Sequence, residues 1–239
     1  MKIEQRYLDA TYSINNPNWD RADAPWKAGH VLSVLKDHQI QPLKVCEVGC
    51  GAGDILSIIS EKLPLSKSVG YDVSPHLTRF WAAHADSKNI QFILGDFNEV
   101  NTEVFDVLLM LDVFEHVRDP FTFLESAKNW ARWFVFHIPL DLSVTSVARG
   151  YPLMNGRNMS GHIHYYTKDL ALATLRDTGY DIVEWRYTGA SLNSPQRSLL
   201  TRLVAPVRRI LYFFNHDLAV RIVGGDTLLV LARPTEIAM

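Results

Sequence analysis

The stretch that most constrains the fold of this chain runs from Leu43 to Asp54 and reads LKVCEVGCGAGD. Its first six residues are apolar and β-branched enough for a buried strand, and Gly49, Gly51 and Gly53 then remove every second side chain where the chain must turn. A helical pattern follows at once. Glycines at this spacing let the backbone approach a ligand closely, and the first amides of the helix face it. The stretch therefore predicts a strand, a ligand-binding turn and a helix.

The composition limits what this chain can be. The 239 residues are 47% hydrophobic, which is ample for a full core, and the net charge of -2 creates no field that would attract nucleic acid. The two cysteines, Cys46 and Cys50, lie inside the glycine stretch, which indicates a reducing compartment without disulfides. The sequence shows neither an apolar leader nor a run long enough to span a bilayer. We therefore expect a soluble, cytoplasmic protein with no nucleic-acid partner.

Strand and helix patterns alternate along most of the chain. After the first strand, strand patterns cover 67–73, 90–97, 107–111, 133–138, 180–187 and 227–233. Predicted helices begin at caps: Asp23 before 24–37, Ser74-Pro75 before a helix towards Ala85, Asp119-Pro120 before one towards Ala131, and Thr167 before one towards Thr178. This alternation predicts an α/β fold with a doubly wound, mostly parallel sheet, whose ligand lies beyond the carboxyl ends of the central strands.

Acidic residues follow these strands at regular places. Asp72 lies nineteen residues beyond Gly53, which is the separation that one crossover helix imposes on a carboxylate that binds ribose hydroxyls. Asp96 and Phe97 follow the third strand, where a turn-capping role for Asp96 is an equal alternative. A dinucleotide fingerprint would need a third glycine at the position of Asp54, which argues against an NAD-dependent oxidoreductase.

The order Glu47-x-Gly49-x-Gly51-x-Gly53 resembles the first motif of class I S-adenosylmethionine (SAM) dependent methyltransferases. The string from Phe105 to Pro120, FDVLLMLDVFEHVRDP, resembles the fourth-strand region of their small-molecule types, and it lacks the signatures of DNA-base and protein-arginine methyltransferases. The resemblance implies SAM as cofactor, S-adenosylhomocysteine as product and seven strands, the last antiparallel. It implies that the cofactor-binding residues are Glu47, Gly49, Cys50, Gly51, Gly53, Asp72, Val73, Asp96, Phe97, Leu111 and Asp112.

Histidines are the candidate catalytic residues, because methyl transfer to a hydroxyl requires removal of its proton. His116 follows the fourth strand on the acceptor side of the cleft and is the first candidate, and His162 and His164 come next. His137 is expected on the fifth strand, facing the core or the strand's end. The pair His162 and His164 lacks a carboxylate at useful spacing, so the sequence predicts no metal site.

Four segments are expected within a single domain: an arm and helix over 1–42, a SAM-binding core over 43–138, a substrate lid over 139–166 and a basic amphipathic insertion over 194–225. The lid pattern is aromatic and irregular. The insertion has helical spacing interrupted at Pro206, with five arginines against one aspartate. We expect the insertion to pack on its own domain or on a second subunit, and contact with an anionic membrane is the alternative. The arm either packs on the domain or forms a flap over the cleft.

The sequence thus predicts a monomeric or homodimeric methyltransferase that acts on a small molecule, most plausibly at oxygen. Arginines 149, 157 and 197 hint at an anionic acceptor. The alternatives are a protein that binds SAM without catalysis, and a methyltransferase acting on a lipid-linked or polymeric substrate at a membrane surface.

Overall fold

The computed structural model describes residues 5–84, 87, 89–197 and 199–235. Within these residues, seven strands form one sheet: β1 (Lys44–Val48), β2 (Lys67–Asp72), β3 (Ile90–Leu94), β4 (Phe105–Leu111), β5 (Ala131–Pro139), β6 (Tyr180–Tyr187) and β7 (Thr227–Pro234). Their order across the sheet is β3–β2–β1–β4–β5–β7–β6. β1 to β5 pair in parallel, whereas β7 runs antiparallel to both of its neighbours. The predicted α/β fold, with its mostly parallel sheet and reversed last strand, is confirmed.

Helices cover both faces of the sheet and connect its strands. Their bounds are α1 (Gln5–Leu8), α2 (Thr11–Asn15), α3 (Ala24–Asp37), α4 (Asp54–Lys62), α5 (Thr78–Trp81), α6 (Phe97–Val100), α7 (Pro120–Ala127), α8 (Val144–Arg149), α9 (Tyr151–Asn155), α10 (Lys168–Asp177), α11 (Ala190–Asn193), α12 (Leu199–Leu203) and α13 (Ala205–Val223). Short 3-10 turns flank α3, α5 and α7, and a π-helical turn covers Gly156–Ser160.

The core has two parts, one on each face of the sheet. On one face, α3 and α4 bury apolar side chains such as Val31 and Ile59 against Val107 of β4. On the other, α7 and α10 cover Phe134 and Phe136 of β5. Because apolar side chains alternate between the two faces of a buried strand, both faces gain a core. The polar residues after each strand are thereby left at the sheet's carboxyl edge.

Two of the four predicted caps are correct in structure and two are wrong. Asp119 accepts a hydrogen bond from the amide of Thr122 at 3.1 Å and caps α7, and Thr167 caps α10 in the same way. Ser74 instead donates its hydroxyl to the carbonyl of Tyr7 at 2.8 Å, and the helix after it is broken into short turns. Its predicted end at Ala85 lies outside the described residues.

Asp23 is the other cap that the structure corrects. Its carboxylate does not bond the first amides of α3, and it accepts hydrogen bonds from the hydroxyl of Ser194 at 2.9 Å and the amide of Gln196. A distant partner competes successfully with the local backbone, as it does at Ser74. Asp23 therefore fastens the beginning of the 194–225 insertion to the N-terminal part of the chain.

The predicted lid is more regular than its sequence pattern indicated. It contains α8, α9 and the π-helical turn, and Ser143 begins α8 with a reciprocal capping box. The hydroxyl of Ser143 accepts from the amide of Ser146 at 3.1 Å, while the Ser146 hydroxyl accepts from the Ser143 amide at 2.8 Å. Two otherwise unpaired amides are satisfied in this way, which stabilises the entry into the lid.

We expect Ser143→Ala to lower the free energy of unfolding by about 1 kcal/mol, because the buried Ser146 amide loses its acceptor. Chemical denaturation followed by circular dichroism measures this. Ser57→Ala, within α4, is the control and should change the free energy of unfolding by less than about 0.5 kcal/mol. Equal effects of the two substitutions would contradict a stabilising capping box.

The 194–225 insertion folds into α12 and α13, with its break at a different place from the one predicted. Pro206 lies in the first turn of α13, where a proline fits because that amide needs no partner. The interruption falls instead before Ala205 and again at Asn215, whose φ of -160° is not helical. One side of these helices is open to solvent, and Phe213 and Phe214 are 86% and 78% exposed.

Candidate active site

The turn after β1 is shaped by its glycines. Gly49 and Gly51 have φ of +69° and +54°, a region that other residues adopt only at a cost. A Cβ on Gly49 would lie 2.8 Å from Cγ2 of Val113, whereas one on Gly51 would meet no heavy atom within 4 Å. The turn therefore packs on one side and leaves Gly51 facing open space on the other. The predicted Gly53 packs against the ring of Phe92 instead.

A cavity of about 760 Å³ opens above this turn, at the carboxyl ends of β1, β2 and β4. Ten of the eleven predicted cofactor residues line it, all except Gly53, and so do His116 and His162 but not His164. The N-terminal arm contributes Tyr7, Tyr12 and Trp19 to the same walls. The structure thus brings together residues that were identified from separate motifs.

Asp72 ends β2 with its carboxylate in the cavity wall. Its Oδ2 accepts a hydrogen bond from the amide of Gly51 at 3.0 Å, and its Oδ1 accepts one from the amide of Ser74 at 2.9 Å. Burial raises the pKa of this carboxyl to about 6, against the opposing effect of those amides. Each oxygen keeps a lone pair for a ligand hydroxyl. The group is therefore held in place as an acceptor and is charged at neutral pH.

This pKa predicts how ligand binding depends on pH. Above pH 7 the Asp72 carboxylate is ionised and accepts ligand hydrogen bonds, whereas below about pH 6 it is protonated. We therefore expect the affinity for S-adenosylhomocysteine to fall as the pH is lowered through 6, by at most about tenfold per pH unit. Isothermal titration calorimetry between pH 5 and 7 measures this. Asp72→Asn should remove the dependence, and an unchanged profile in that variant would assign the titration to another group.

Glu47 is the residue of the glycine motif best suited to a cation. It is 1% exposed, and its Oε2 has no hydrogen-bond partner among the described residues. Burial raises the pKa of this carboxyl to about 8, although the nearby Lys27 opposes the shift. A buried acceptor left unpaired in a cavity wall is best satisfied by a ligand donor. The ammonium group of SAM is such a donor and fits this position, as the open Gly51 fits a closely bound nucleoside.

Asp96 and Phe97 follow β3 and differ in how much of each side chain the cavity exposes. Asp96 lines the cavity and also caps α6, since its Oδ1 accepts from the amide of Asn98 at 2.9 Å. The ring of Phe97 is 2% exposed and packs edge-on against Tyr71 in the core. Val73 and Leu94 provide exposed apolar surface in the cavity wall. Val73 was among the predicted cofactor residues, whereas Leu94 was not. Val73 and Leu94 therefore offer apolar surface to a ligand, whereas the Phe97 ring is almost wholly buried.

Asp112 lies in the cavity wall, but its carboxylate is already paired. Oδ2 contacts Nζ of Lys27 at 2.7 Å and Oδ1 contacts Nδ1 of His137 at 2.6 Å, while Nε2 of His137 lies 2.9 Å from the hydroxyl of Thr227. Burial alone would raise the pKa of Asp112, yet His137 and Lys27 together hold it well below its usual range. His137 is buried at the end of β5, where it was expected. Lys27 had no local signal in the sequence, because it comes from α3.

Glu115, His116 and His162 form a cluster, and the two histidines line the cavity. Glu115 is 0% exposed and lies 3.8 Å from Nε2 of His116, and the rings of His116 and His162 have centroids 4.9 Å apart. Burial lowers the pKa of His116 to about 3. Burial also acts to lower the pKa of His162, but its bond to Asp141 and the nearby Glu115 raise it to about 9. Burial raises the pKa of Glu115 to about 8.

His164 is separated from this cluster, although it is only two residues from His162. Its Nε2 lies 3.0 Å from the carbonyl of Val117, outside the cavity wall. The amides of Ile163 and His164 both donate to the carbonyl of Glu115, at 2.9 and 3.1 Å. His164 thus fastens the lid to the segment after β4. Glu115 is the functional candidate that sequence reasoning missed, though it stands next to His116 in the quoted motif.

The arm and the lid cover the cavity together. Asn16 donates to the carbonyl of Met159 at 2.9 Å, and Arg6 donates to that of Arg157 at 2.7 Å. The arm is therefore packed on the domain beside the cavity, and its role as a flap stays a prediction. The arginines that suggested an anionic acceptor, at 149, 157 and 197, do not line the cavity, whereas Arg21 and Arg118 do. Arg21 is already paired with Asp54.

Comparisons with solved structures agree with this architecture. The magnesium protoporphyrin IX methyltransferase of Synechocystis, with SAM bound, superposes with a TM-score of 0.61 at 14% identity over 98% of both chains. An N-methyltransferase of Bradyrhizobium japonicum in complex with S-adenosylhomocysteine gives a TM-score of 0.60 at 16% identity, over 95% of this chain and 99% of that one. At such low identity these likenesses establish the fold alone.

Sequence comparisons identify the family. A ubiquinone biosynthesis O-methyltransferase of Glaesserella parasuis is 26% identical over 145 residues, which cover 53% of this chain and 59% of that protein. A trans-aconitate 2-methyltransferase of Streptomyces coelicolor is 29% identical over 68 residues, 26% of this chain and 22% of that one. The chain thus spans little more than half the length of the ubiquinone enzyme. The model of the methyltransferase domain matches residues 21–184. This match shows that the chain belongs to the methyltransferase domain family, and its fold is that of solved SAM-dependent methyltransferases.

Proposed function

We propose that this protein transfers a methyl group from SAM to a small-molecule acceptor, at oxygen, and releases S-adenosylhomocysteine. One observation carries the proposal: a single cavity extends from Asp72 and the glycine turn to His116 and His162. Donor and acceptor can therefore meet inside it. The oxygen preference is supported by the ubiquinone biosynthesis relative, which is named as an O-methyltransferase.

The residues at one end of the cavity are assigned to the methyl donor. Asp72 accepts hydrogen bonds from the ribose hydroxyls, Glu47 faces the positive charges, and Val73 and Leu94 contact the adenine. When bound, SAM supplies a methyl group on a sulfonium whose charge disperses as the methyl is transferred. A site for such a reaction mainly has to align two molecules and exclude water. The arm and lid, joined by hydrogen bonds over the cavity, suit the second task.

The residues at the other end are assigned to the acceptor oxygen. Glu115, His116 and His162 lie together there, and His162 is oriented by Asp141, whose Oδ2 is 2.5 Å from its Nδ1. A histidine with a pKa of about 3 is a poor base for a hydroxyl, so His116 in this environment does not suit the single-base role expected of it. We assign the three residues jointly to binding and orienting the acceptor oxygen, and His164 to positioning the lid.

Calorimetry with SAM and S-adenosylhomocysteine tests the first half of the proposal, and transfer of a labelled methyl group to a panel of phenols and carboxylic acids tests the second. We expect binding with a micromolar dissociation constant and transfer to at least one hydroxylated acceptor. A folded protein that binds neither ligand would reject the proposal. Tight binding without any transfer would favour the non-catalytic alternative.

A second candidate, methyl transfer to a lipid-linked acceptor at a membrane surface, is favoured by the insertion. Phe213 and Phe214 of α13 are largely exposed, and Arg202 and Arg209 are exposed in the same segment. Basic and apolar groups on one exposed segment suit an anionic lipid surface. Among the described residues, no helix is long and apolar enough to cross a membrane. Co-sedimentation with phosphatidylglycerol vesicles should be lost in Phe213→Ser with Phe214→Ser if this candidate is right, and absence of wild-type binding would reject it.

A further inference from the structure

The cluster at the acceptor end of the cavity contains polar atoms without partners. Glu115 is 0% exposed, and neither of its carboxylate oxygens has a hydrogen-bond partner among the described residues. The Nδ1 atom of His116 is also buried without a partner. Leaving a carboxylate unpaired in the interior is costly, and buried charges are normally paired with another charge or coordinated to a metal. The two unpaired oxygens of Glu115 therefore point to a ligand that pairs with them.

The three side chains are close enough to share one ion. One donor atom from each of Glu115, His116 and His162 lies within 4.8 Å of the other two. Atoms bound to the same ion at roughly 2.0 to 2.2 Å stand about 3 to 4 Å apart, so small side-chain rotations would complete the site. The 3.8 Å between Oε1 of Glu115 and Nε2 of His116 already falls in that range.

The surroundings of His162 resemble those of a metal ligand. Its Nδ1 is 2.5 Å from Oδ2 of Asp141, which leaves Nε2 as the donor for an ion. A carboxylate on the remote nitrogen is the usual way in which proteins orient a ligating histidine. The lid segment that carries His162 is also bonded to the backbone of Glu115, through the amides of Ile163 and His164. The donors are thus held together although they are far apart in the sequence.

We propose that Glu115, His116 and His162 bind one divalent transition-metal ion of the zinc type. Two imidazoles and one carboxylate suit zinc, iron, cobalt or manganese, whereas magnesium and calcium prefer oxygen donors. Three protein ligands leave a coordination position open, and both histidines line the cavity. This site revises the sequence-based expectation of no metal, which considered only the pair His162 and His164.

The role of the ion rests on the proposed function. The open position binds the acceptor hydroxyl, whose proton is released to water more easily because the ion stabilises the alkoxide or phenolate. An oxygen lone pair then forms the bond to the methyl carbon while the carbon–sulfur bond breaks, and its electron pair stays on sulfur. No oxidant or reductant is required.

Metal binding is tested without SAM, on the full-length, tag-free chain after treatment with a chelator. Titration with Co²⁺, followed by its visible d–d absorption, and calorimetry with Zn²⁺ should each show one equivalent bound. Glu115→Gln and His162→Gln should each weaken binding by at least about 100-fold, and Asp141→Asn by about tenfold or more. His38→Gln is the matched control, because His38 pairs with Glu184 and does not line the cavity, and this variant should bind the ion as the wild type does.

Circular dichroism and thermal unfolding identify any variant that fails to fold. If either Glu115→Gln or His162→Gln does not fold, the metal affinity of the other one tests the proposal. Absence of binding to the folded wild type at millimolar Co²⁺ and Zn²⁺ would overturn the proposal, and so would unchanged affinity in Glu115→Gln and His162→Gln. Titration with S-adenosylhomocysteine distinguishes failure of the metal proposal from failure of the proposed function. Retained nucleoside binding without metal binding rejects the ion alone, whereas loss of nucleoside binding rejects the proposed function and leaves the cobalt result standing.

Discussion

Replacing Asp72 with alanine is expected to weaken binding of S-adenosylhomocysteine by on the order of 1.5 to 3 kcal/mol, which is roughly a 10- to 150-fold rise in dissociation constant. The carboxylate provides charged acceptors to the ligand and also holds the amides of Gly51 and Ser74 at 3.0 and 2.9 Å. Its loss therefore removes ligand contacts and loosens the turn that Gly51 presents to the cavity. Calorimetry at pH 7.5, where Asp72 is ionised, measures the change.

Two further variants separate these effects. Asp72→Asn keeps a neutral acceptor for the turn and should lie between alanine and the wild type. Asp181→Ala removes a carboxylate that pairs with Arg233 on the surface, so binding should not change. Unaltered affinity in Asp72→Ala would place the ribose elsewhere, and an equal loss in Asp181→Ala would indicate a general effect of charge.

The sheet and the part of the cavity formed by the glycine turn and Asp72 could be predicted because their signals are local. The glycine turn follows β1 directly, and one crossover helix fixes the distance to Asp72, so short-range spacing determines where both lie. The cluster of Glu115, His116 and His162 depends on contacts between distant segments. Glu115 and His162 come together through backbone hydrogen bonds from the lid, and no sequence interval between them could have indicated this.

Two predictions of local structure were wrong, one at Ser74 and one at Pro206. Ser74 has the right residue type and place for a cap, but the carbonyl of Tyr7, from the arm, takes its hydroxyl. Pro206 was expected to interrupt a helix, yet a proline in the first helical turn removes no hydrogen bond. A contact from a distant segment decided the outcome at Ser74, whereas at Pro206 the local position of the proline in the helix decided it.

The largest expected loss of stability follows from Lys27→Met, which should lower the free energy of unfolding by on the order of 3 kcal/mol. The Lys27 side chain is 13% exposed and pairs with Asp112 at 2.7 Å, so the substitution leaves that carboxylate with its hydrogen bond to His137. Methionine nearly preserves the shape of the lysine stem, so packing changes little. Denaturant unfolding without SAM measures the effect, because Lys27 also lines the cavity.

Lys36→Met is the matched control, since Lys36 lies on the same helix but is exposed, and the expected change is within about 0.5 kcal/mol. Adding Asp112→Asn to Lys27→Met removes the unpaired charge and should restore part of the stability, because the two groups are energetically coupled. Asparagine also tolerates the φ of +57° found at this position. Equal unfolding free energies for Lys27→Met and Lys36→Met would mean that His137 alone compensates the charge of Asp112, and that α3 is held to the sheet by its apolar face.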